Sequence, residues 1–180
     1  KLKSWLKANS TDCYRLYDCD LPEYAIAIDV YKDVLLVQEY QMPSNLDEAR
    51  AAERFEDVVK VVQNCAIDWK CKVLYKQRVR QRGLSQYQKL EDECSILLTV
   101  TEDSAKFEVN LTNYIDTGLF LDHRKLRARI ASEIKGKSFL NLFCYTASAS
   151  VQAALGGAKS SLSCDMSNTY ISWANRNMSL

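Results

Sequence analysis

The stretch that most constrains the fold of this chain runs from Lys137 to Val151. A short apolar run breaks there into a loop of small residues and then resumes with helical character. An apolar run of about four to eight residues that ends in turn chemistry and is followed by Ala-rich sequence predicts the opening of a βα unit in a parallel sheet. Such a turn places backbone N–H groups and a helix N-terminus at the carboxyl edge of the sheet, where nucleotide-like ligands bind.

Asp165 follows a second apolar stretch, Ser160–Cys164. It lies about twenty residues after the loop, the spacing at which an acidic side chain at the tip of the second strand accepts hydrogen bonds from ribose hydroxyls. In the alternative interpretation Asp165 caps the next helix of an ordinary βαβ unit. Spacing alone gives the two interpretations about equal weight.

The helix after the loop is predicted to begin at Ala147, at ordinary helical angles and with Thr146 as its N-cap. The small residues of Ala147–Val151 are compatible with a helix, and alanine is the better helix former by up to about 1 kcal/mol over glycine. The alternative is a left-handed Ala147, where alanine has a steric cost of roughly 1 kcal/mol or more that glycine avoids.

The composition predicts a globular protein, with 47% hydrophobic and 26% charged residues and a net charge of +1. Any electrostatic preference must therefore be local. No apolar run approaches the length of a membrane span, and the first residues lack the apolar core of a signal peptide. The cysteines include no CxxC and no His/Cys cluster, so we expect no disulfide, no metal site and a reducing cytoplasm. They stand at positions 13, 19, 65, 71, 94, 144 and 164.

The front half is β-rich. The runs Tyr24–Val30 and Val34–Tyr40 have hairpin spacing, and the apolar period changes to that of an amphipathic helix from Asn45 onward. Ser95–Thr101 and Lys106–Leu111 predict two more strands, which we expect to extend the first sheet.

A basic segment lies between Trp69 and Leu90 and contains no acidic residue. Clustered basic side chains with interspersed Tyr75 and Tyr87 suit phosphate contacts and base stacking, so RNA binding is the functional interpretation. The alternative, of about equal weight, is a solvated strand edge that its charges protect from aggregation. The predicted RNA contacts are Lys76, Arg78, Arg80, Arg82 and Lys89.

A connector, Tyr114–Arg124, joins the two halves. Gly118 marks a sharp turn, and a basic helix is predicted from Arg124 to about Ile134. His123 is the only histidine, and a lone histidine among charged neighbours is more often structural than a ligand or a base.

Several motifs, taken together and in order, resemble the C-terminal methyltransferase half of the bifunctional 23S ribosomal RNA guanine methyltransferases (RlmK/L type). The resemblance runs essentially from end to end. The residues that carry it are 14–18, 21–24, 85–90, 109–114, 116–124 and 141–146.

The resemblance implies an α/β protein, in which an α+β RNA-facing domain (1–115) precedes the start of a Rossmann-like class I methyltransferase domain (116–180). It also implies an S-adenosyl-L-methionine-dependent enzyme that methylates guanine N7 in 23S ribosomal RNA. Carried over by position, the segment at Phe120, Asp122 and Arg124 would lie against the methionine end of the cofactor. The other implied cofactor-binding residues are Asn141, Phe143, Tyr145, Thr146, Ser148, Asp165 and Met166.

The chain departs from the family pattern at two points. Ala147 stands where the family usually has glycine. The chain also ends at Leu180, before an Asp-Pro-Pro-type motif that helps to place the target base, so its catalytic residues are expected beyond this point and we expect a fragment of the enzyme.

Two other functions compete with this one. The chain could be an RNA-binding module without catalysis. A nicotinamide-dependent dehydrogenase would share the βα turn and Asp165, but the loop has no GxGxxG and the basic front half has no obvious use there.

Overall fold

The computed structural model describes residues 2–40, 48–78 and 95–180. By their contacts these residues form two compact units. The first unit contains the described residues between 13 and 78. The second combines residues 2–12 with residues 95–180, so it is built from both ends of the chain.

The first unit is a four-stranded sheet with one long helix. The predicted hairpin is confirmed, since β2 (Ile26–Tyr31) and β3 (Val34–Tyr40) pair in antiparallel register from Ile26↔Glu39 to Tyr31↔Val34. β1 (Cys13–Asp18) joins β2 on one side, and β4 (Lys72–Arg78) joins β3 in parallel on the other. In chain order the elements are β1 (Cys13–Asp18), β2 (Ile26–Tyr31), β3 (Val34–Tyr40), α2 (Glu48–Trp69) and β4 (Lys72–Arg78).

The core of this unit lies between one sheet face and α2. Val58, Val62 and Ala66 recur at helical spacing and pack on alternate residues of β2 and β3, among them Ile26 and Val37. Full burial of such side chains stabilises the fold by about 1.5–3 kcal/mol each. Because these buried residues lie on one face of α2, apolar residues recur at helical spacing in this part of the sequence. The amphipathic helix was predicted from Asn45 onward, and residues 45–47 lie outside the described residues.

The second unit contains a β-hairpin and a βαβ unit. Residues 2–12 add α1 (Leu2–Ala8) to it. A single 3-10 turn, Leu121–His123, leads into the basic helix that was predicted from Arg124. In chain order the elements are β5 (Leu97–Glu102), β6 (Ala105–Asn110), α3 (Arg124–Glu133), β7 (Ser138–Leu142), α4 (Ser148–Leu155), β8 (Ser160–Cys164) and α5 (Asn168–Met178).

The hairpin of β5 and β6 does not extend the first sheet, so that expectation was wrong. Side chains of α5 occupy the outer edge of β6 instead: Trp173 Nε1 donates to the Glu108 carbonyl at 3.0 Å, and the Glu108 N–H donates to Asn177 at 2.8 Å. A strand edge whose backbone groups already have partners cannot add a further strand. The two compact units differ from the expected domains 1–115 and 116–180, which stay a prediction.

The predicted βαβ unit is confirmed. β7 and β8 pair in parallel from Ser138↔Ser160 to Leu142↔Cys164, and α4 connects them. Their carboxyl ends meet at one edge, so the loop after β7 and Asp165 after β8 become neighbours.

In the described parts of the chain no helix is long and apolar enough to cross a membrane. Those same parts contain no cluster of three or more His, Cys, Asp or Glu side chains that could hold a metal ion. All six described cysteines carry free thiols, and Cys94 lies outside the described residues.

Candidate cofactor site

The loop after β7 is built from alternating left-handed residues. Phe143, Tyr145 and Ala147 have φ of 57°, 53° and 59°, and none of them is glycine. Left-handed backbone in a non-glycine residue costs of order 1–3 kcal/mol and persists only where surrounding contacts impose it. We call residues 143–147 the strained loop. Contacts with other residues must hold it in this conformation.

The predicted helix start at Ala147 was wrong. α4 begins at Ser148, and Ala147 precedes it in left-handed geometry with its side chain fully buried. Thr146 does not cap the helix, because its hydroxyl donates to the Gly118 carbonyl in the connector. The Thr146 carbonyl accepts a hydrogen bond from Asn177 at 2.8 Å. The hydroxyl and the carbonyl of Thr146 are thus both bound by other segments. These contacts outweigh the preference of Ala147 for helical backbone angles.

The Asp165 carboxylate, directly after β8, is hydrogen-bonded to the loop that follows β7. One carboxylate oxygen accepts from the Tyr145 N–H of the strained loop at 2.8 Å, and the other accepts from the Ser167 N–H at 3.0 Å. Ser167 is itself the N-cap of α5, since its hydroxyl accepts from the Tyr170 N–H. The carboxylate thus binds the residue before the helix, but the N-cap of α5 is Ser167, so the interpretation in which Asp165 itself caps the helix was wrong. The carboxylate lies at the carboxyl edge of the parallel pair, where the other interpretation requires it.

Aromatic side chains surround Tyr145. Its ring centroid lies 4.5 Å from that of Tyr170, 5.2 Å from that of Phe120 and 6.4 Å from that of Trp173. Gly118 lies against Trp173, and a Cβ at this glycine would be 2.3 Å from a Trp173 ring carbon. The sharp turn predicted at Gly118 thus also provides the space for the Trp173 ring.

Two apolar side chains project into solvent at the edge where β7 and β8 end. Phe143 is 82% exposed at the end of β7, and Met166 is 87% exposed directly after Asp165. Exposed apolar side chains beside a carboxylate combine the two kinds of contact that a nucleoside needs, apolar cover for a base and acceptors for a ribose.

The other predicted cofactor residues take different positions. Asn141 donates to the Ser150 hydroxyl at 2.9 Å, and Ser150 shares a hydrogen bond of 2.7 Å with Ser163, so this polar chain links β7, α4 and β8. Ser148 opens α4 and is half-buried. Asp122 is exposed and lies 3.8 Å from His123 Nε2.

Arg124 belongs to a charged cluster around buried Glu102. Arg127 donates two hydrogen bonds of 2.7 Å to the Glu102 carboxylate, and Arg124 donates a third at 3.0 Å. Arg124 also contacts the Trp5 ring, and Arg127 donates to the Phe120 carbonyl at 2.8 Å. The cluster therefore anchors the segment that carries Phe120. The predicted contact of Arg124 with the cofactor stays a prediction.

Cys144 lies inside the loop but is poorly suited to act as a nucleophile. Burial raises the pKa of its thiol, and the charges of Asp165 and Cys164 raise it further. The reactive species of cysteine is the thiolate, which such surroundings suppress at neutral pH. The described geometry therefore favours positioning of a ligand over covalent catalysis by this residue.

Two of the predicted RNA-binding residues are described, and both lie in the first compact unit. Lys76 and Arg78 are in β4, which is an edge strand of the four-stranded sheet. Arg80, Arg82 and Lys89 lie outside the described residues.

Sequence reasoning missed Asn177, which contacts both β6 and the strained loop. A signal existed, because Tyr170, Trp173, Ala174 and Asn177 form one buried helical stripe in which the asparagine is the polar member. A polar side chain in a buried stripe needs hydrogen-bond partners. The sequence could not identify those partners, since Glu108 and Thr146 are distant along the chain.

A βα turn that is tied to an acidic residue at the tip of the next parallel strand defines a Rossmann-like, nucleotide-cofactor class of α/β protein. The profile of the S-adenosylmethionine-dependent methyltransferase family matches residues 14–180, and the chain belongs to this family.

Relatives by sequence and by structure agree with this class. The chain is 50% identical over 181 residues to the ribosomal RNA large subunit methyltransferase K/L of Vibrio campbellii, covering 100% of this chain and 25% of that protein. A candidate SAM-dependent methyltransferase from Streptococcus mutans superposes with a TM-score of 0.75 at 24% identity, over 98% of this chain and 44% of that one. A methyltransferase structure complexed with SAH gives a TM-score of 0.74 at 24% identity, with the same shares of both chains covered.

Proposed function

We propose that this chain is part of an enzyme that transfers a methyl group from S-adenosylmethionine to large-subunit ribosomal RNA. The names of the sequence relatives support the substrate class, although the chain spans only 25% of the first of them. By the resemblance of its motifs, the proposed target is guanine N7 of 23S ribosomal RNA, and the proposed location is the bacterial cytoplasm.

The observation that carries the proposal is the hydrogen bond between Tyr145 N–H and Asp165. It brings a carboxylate to the edge where two parallel strands end, with exposed Phe143 and Met166 beside it. These residues fit the cofactor: Asp165 would accept from the ribose, and the two apolar side chains would cover the adenine. Each carboxylate oxygen has two lone pairs, so Asp165 can accept from a ribose and from the backbone together.

The bound cofactor would supply an electrophilic methyl group. The residues of this chain would then bind the cofactor and orient its methyl group toward the acceptor. Orientation alone can account for a large part of the acceleration of such a transfer. The aromatic rings of Phe120 and Tyr145 lie 5.2 Å apart and would help to exclude water from the loop.

Calorimetry with S-adenosylhomocysteine on the full-length protein tests the cofactor site. An Asp165→Ala variant should bind at least about tenfold more weakly, since a charge-assisted hydrogen bond contributes roughly 1.5–3 kcal/mol. Glu133→Gln removes an exposed negative charge on α3 and should bind like the parent. Equal affinity of all three proteins would refute the site.

The apolar contacts have a test of their own. A Met166→Ser change should weaken binding of S-adenosylhomocysteine several-fold, because it removes apolar area that would cover the adenine. Leu126→Ser on α3, which also alters an exposed apolar side chain, is the matched control and should leave the affinity unchanged. Weakening in both variants would mean that the effect is not specific to the site.

We further propose that the basic segment contacts RNA, with Lys76, Arg78, Arg80, Arg82 and Lys89 as its candidates. Replacing Arg78, Arg80 and Arg82 together should flatten the salt dependence of RNA binding, by about 0.7 to 0.9 in slope for each phosphate that the variant no longer neutralises. Equal slopes would favour the solvated-edge interpretation. RNA binding without transfer of labelled methyl groups by the full-length protein would favour a binding module.

A further inference from the structure

Asn177 uses both ends of its side-chain amide. The oxygen accepts from the Glu108 N–H of β6 at 2.8 Å, and the nitrogen donates to the Thr146 carbonyl of the strained loop at 2.8 Å. The residue lies in the last turn of α5 and is 2% exposed. One buried amide therefore links the edge of the hairpin to the proposed cofactor loop.

The two partners fix the orientation of this amide. A backbone N–H can only donate and a carbonyl can only accept, so a flipped amide would lose both hydrogen bonds. Water cannot readily replace either bond at a buried position. The link is therefore specific for a side chain that offers an acceptor on one side and a donor on the other.

The Thr146 peptide needs such support. Thr146 lies between Tyr145 and Ala147, whose φ angles of 53° and 59° are unfavourable for residues with a Cβ. Asp165 holds the loop at the Tyr145 N–H, and the Gly118 carbonyl holds the Thr146 hydroxyl. Asn177 holds the carbonyl of the same residue, so these three contacts together impose the left-handed turns.

We propose that Asn177 is a positioning residue for cofactor binding, which acts by fixing the Thr146 carbonyl and thus the conformation of the strained loop. This inference rests on the proposed function of that loop. It assigns no contact with the cofactor to Asn177 itself.

An Asn177→Asp change in the full-length protein separates the two hydrogen bonds. The aspartate keeps an acceptor for the Glu108 N–H, but when ionised it presents a second oxygen to the Thr146 carbonyl in place of a donor. When protonated, it again has a donor for that carbonyl. We expect calorimetry at about pH 8 to give binding of S-adenosylhomocysteine about three- to tenfold weaker than in the parent, the range for the loss of one hydrogen bond.

The same variant should regain affinity as the pH falls toward about 5.5, because burial favours the protonated acid. Other titratable groups on the elements packed around it are present in the parent too, so the parent's pH profile is the reference. These are Glu108 on β6, Cys144 and Tyr145 in the loop, Asp165 after β8, and Tyr170 and Arg176 on α5. Asn177→Ser, which cannot regain the donor in this way, should stay weak at both pH values and serves also if the aspartate variant fails to fold.

Arg176→Gln is the matched control. Arg176 also fastens α5 to β6, through hydrogen bonds to the Glu108 carboxylate as short as 2.7 Å, but it does so on the exposed side. This change should leave cofactor affinity within about twofold, because an exposed ion pair contributes little.

The outcomes separate the two proposals. A parent protein that does not bind S-adenosylhomocysteine overturns the cofactor site and the positioning role with it. A parent that binds, with Asn177→Asp and Asn177→Ser binding equally well at both pH values, overturns the positioning role and leaves the cofactor site standing. Loss of affinity in the Asn177 variants alone, with recovery only in the aspartate variant at low pH, supports the inference.

Discussion

At the scale of single residues, Ala147 has an unfavourable backbone conformation and a fully buried methyl group. The loop contacts described above hold it there, and its own N–H donates to the Cys144 carbonyl at 2.8 Å. The helix then continues from it, since Val151 N–H donates to the Ala147 carbonyl at 3.0 Å. The residue thus stands at the junction between a strained turn and a regular helix.

Ala147→Gly is expected to be better tolerated than a matched change in α4. Ala153 is equally buried and lies within the helix. Both changes remove a buried methyl group, but only at position 147 does glycine relieve left-handed strain. In thermal unfolding, Ala147→Gly should therefore be more stable than Ala153→Gly by at least about 1 kcal/mol. Equal losses would contradict the left-handed assignment.

Cys144 should react slowly with alkylating agents. Burial raises the pKa of its thiol, so it remains protonated in the folded protein at pH values where an unfolded thiol ionises. It therefore contributes stability that is complete below the ordinary thiol pKa of about 8.5 and is lost as the pH rises through the raised value. Mass spectrometry after iodoacetamide treatment at about pH 8 should find exposed Cys164 labelled well before Cys144. Equal labelling rates would count against the burial of Cys144.

At the scale of secondary-structure elements, α5 is attached to both the hairpin and the connector. Trp173 donates to the Glu108 carbonyl of β6, and its ring covers Gly118. The helix therefore needs a residue without a Cβ at one position of the connector, far away in sequence.

Gly118→Ala should destabilise the protein by more than about 2 kcal/mol, because it adds a Cβ against Trp173 and a side chain at a φ of +97°. Gly136→Ala is the control, since Gly136 has a φ of +73° but no atom within 4 Å of an added Cβ. It should cost only about 1 kcal/mol, the conformational part alone. Urea unfolding followed by tryptophan fluorescence measures both, and similar costs would mean that Trp173 moves aside freely.

Most elements of the described chain could be predicted from sequence, and their partners could not. The hairpin of β2 and β3, helix α3 and the βαβ unit follow from period and turn chemistry, which are local signals. The hairpin of β5 and β6 is separate from the first sheet because α5 binds its edge. Trp173 of α5 and Glu108 of β6 are 65 residues apart in sequence. The spacing of about twenty residues likewise predicted that Asp165 lies at the tip of β8, but it did not predict the hydrogen bond of Asp165 with the Tyr145 N–H. Long-range contacts of this kind leave no periodic signal.

At the scale of the whole molecule, the sheet of β7 and β8 presents one apolar face to solvent. Leu140, Leu142 and Leu162 are 58%, 59% and 62% exposed on neighbouring positions of the two strands. Contiguous apolar surface of this kind marks an interface or an association hazard.

The 180-residue chain alone should therefore self-associate. Sedimentation velocity should find oligomers whose fraction falls when Leu142 and Leu162 are both changed to Ser, because less apolar area is then buried on association. Changing Leu97 and Leu126, exposed leucines elsewhere in the same unit, is the matched control and should not alter the distribution. Fully monomeric parent protein would show that the exposed face does not drive association.

The second compact unit combines residues 2–12 with residues 95–180, which leave the ribosome at different times. Thr11 forms a bridge with Glu102, and Arg124 donates to the Thr11 hydroxyl across 113 positions. At a translation rate of about 5–20 residues per second, residues 2–12 wait several seconds for these partners. The strands and helix between Cys13 and Arg78 are complete earlier, and domains generally fold as units in the order of their synthesis. The first unit is then expected to fold before residues 2–12 find their partners, and closing that long loop makes the second unit the slower one to assemble.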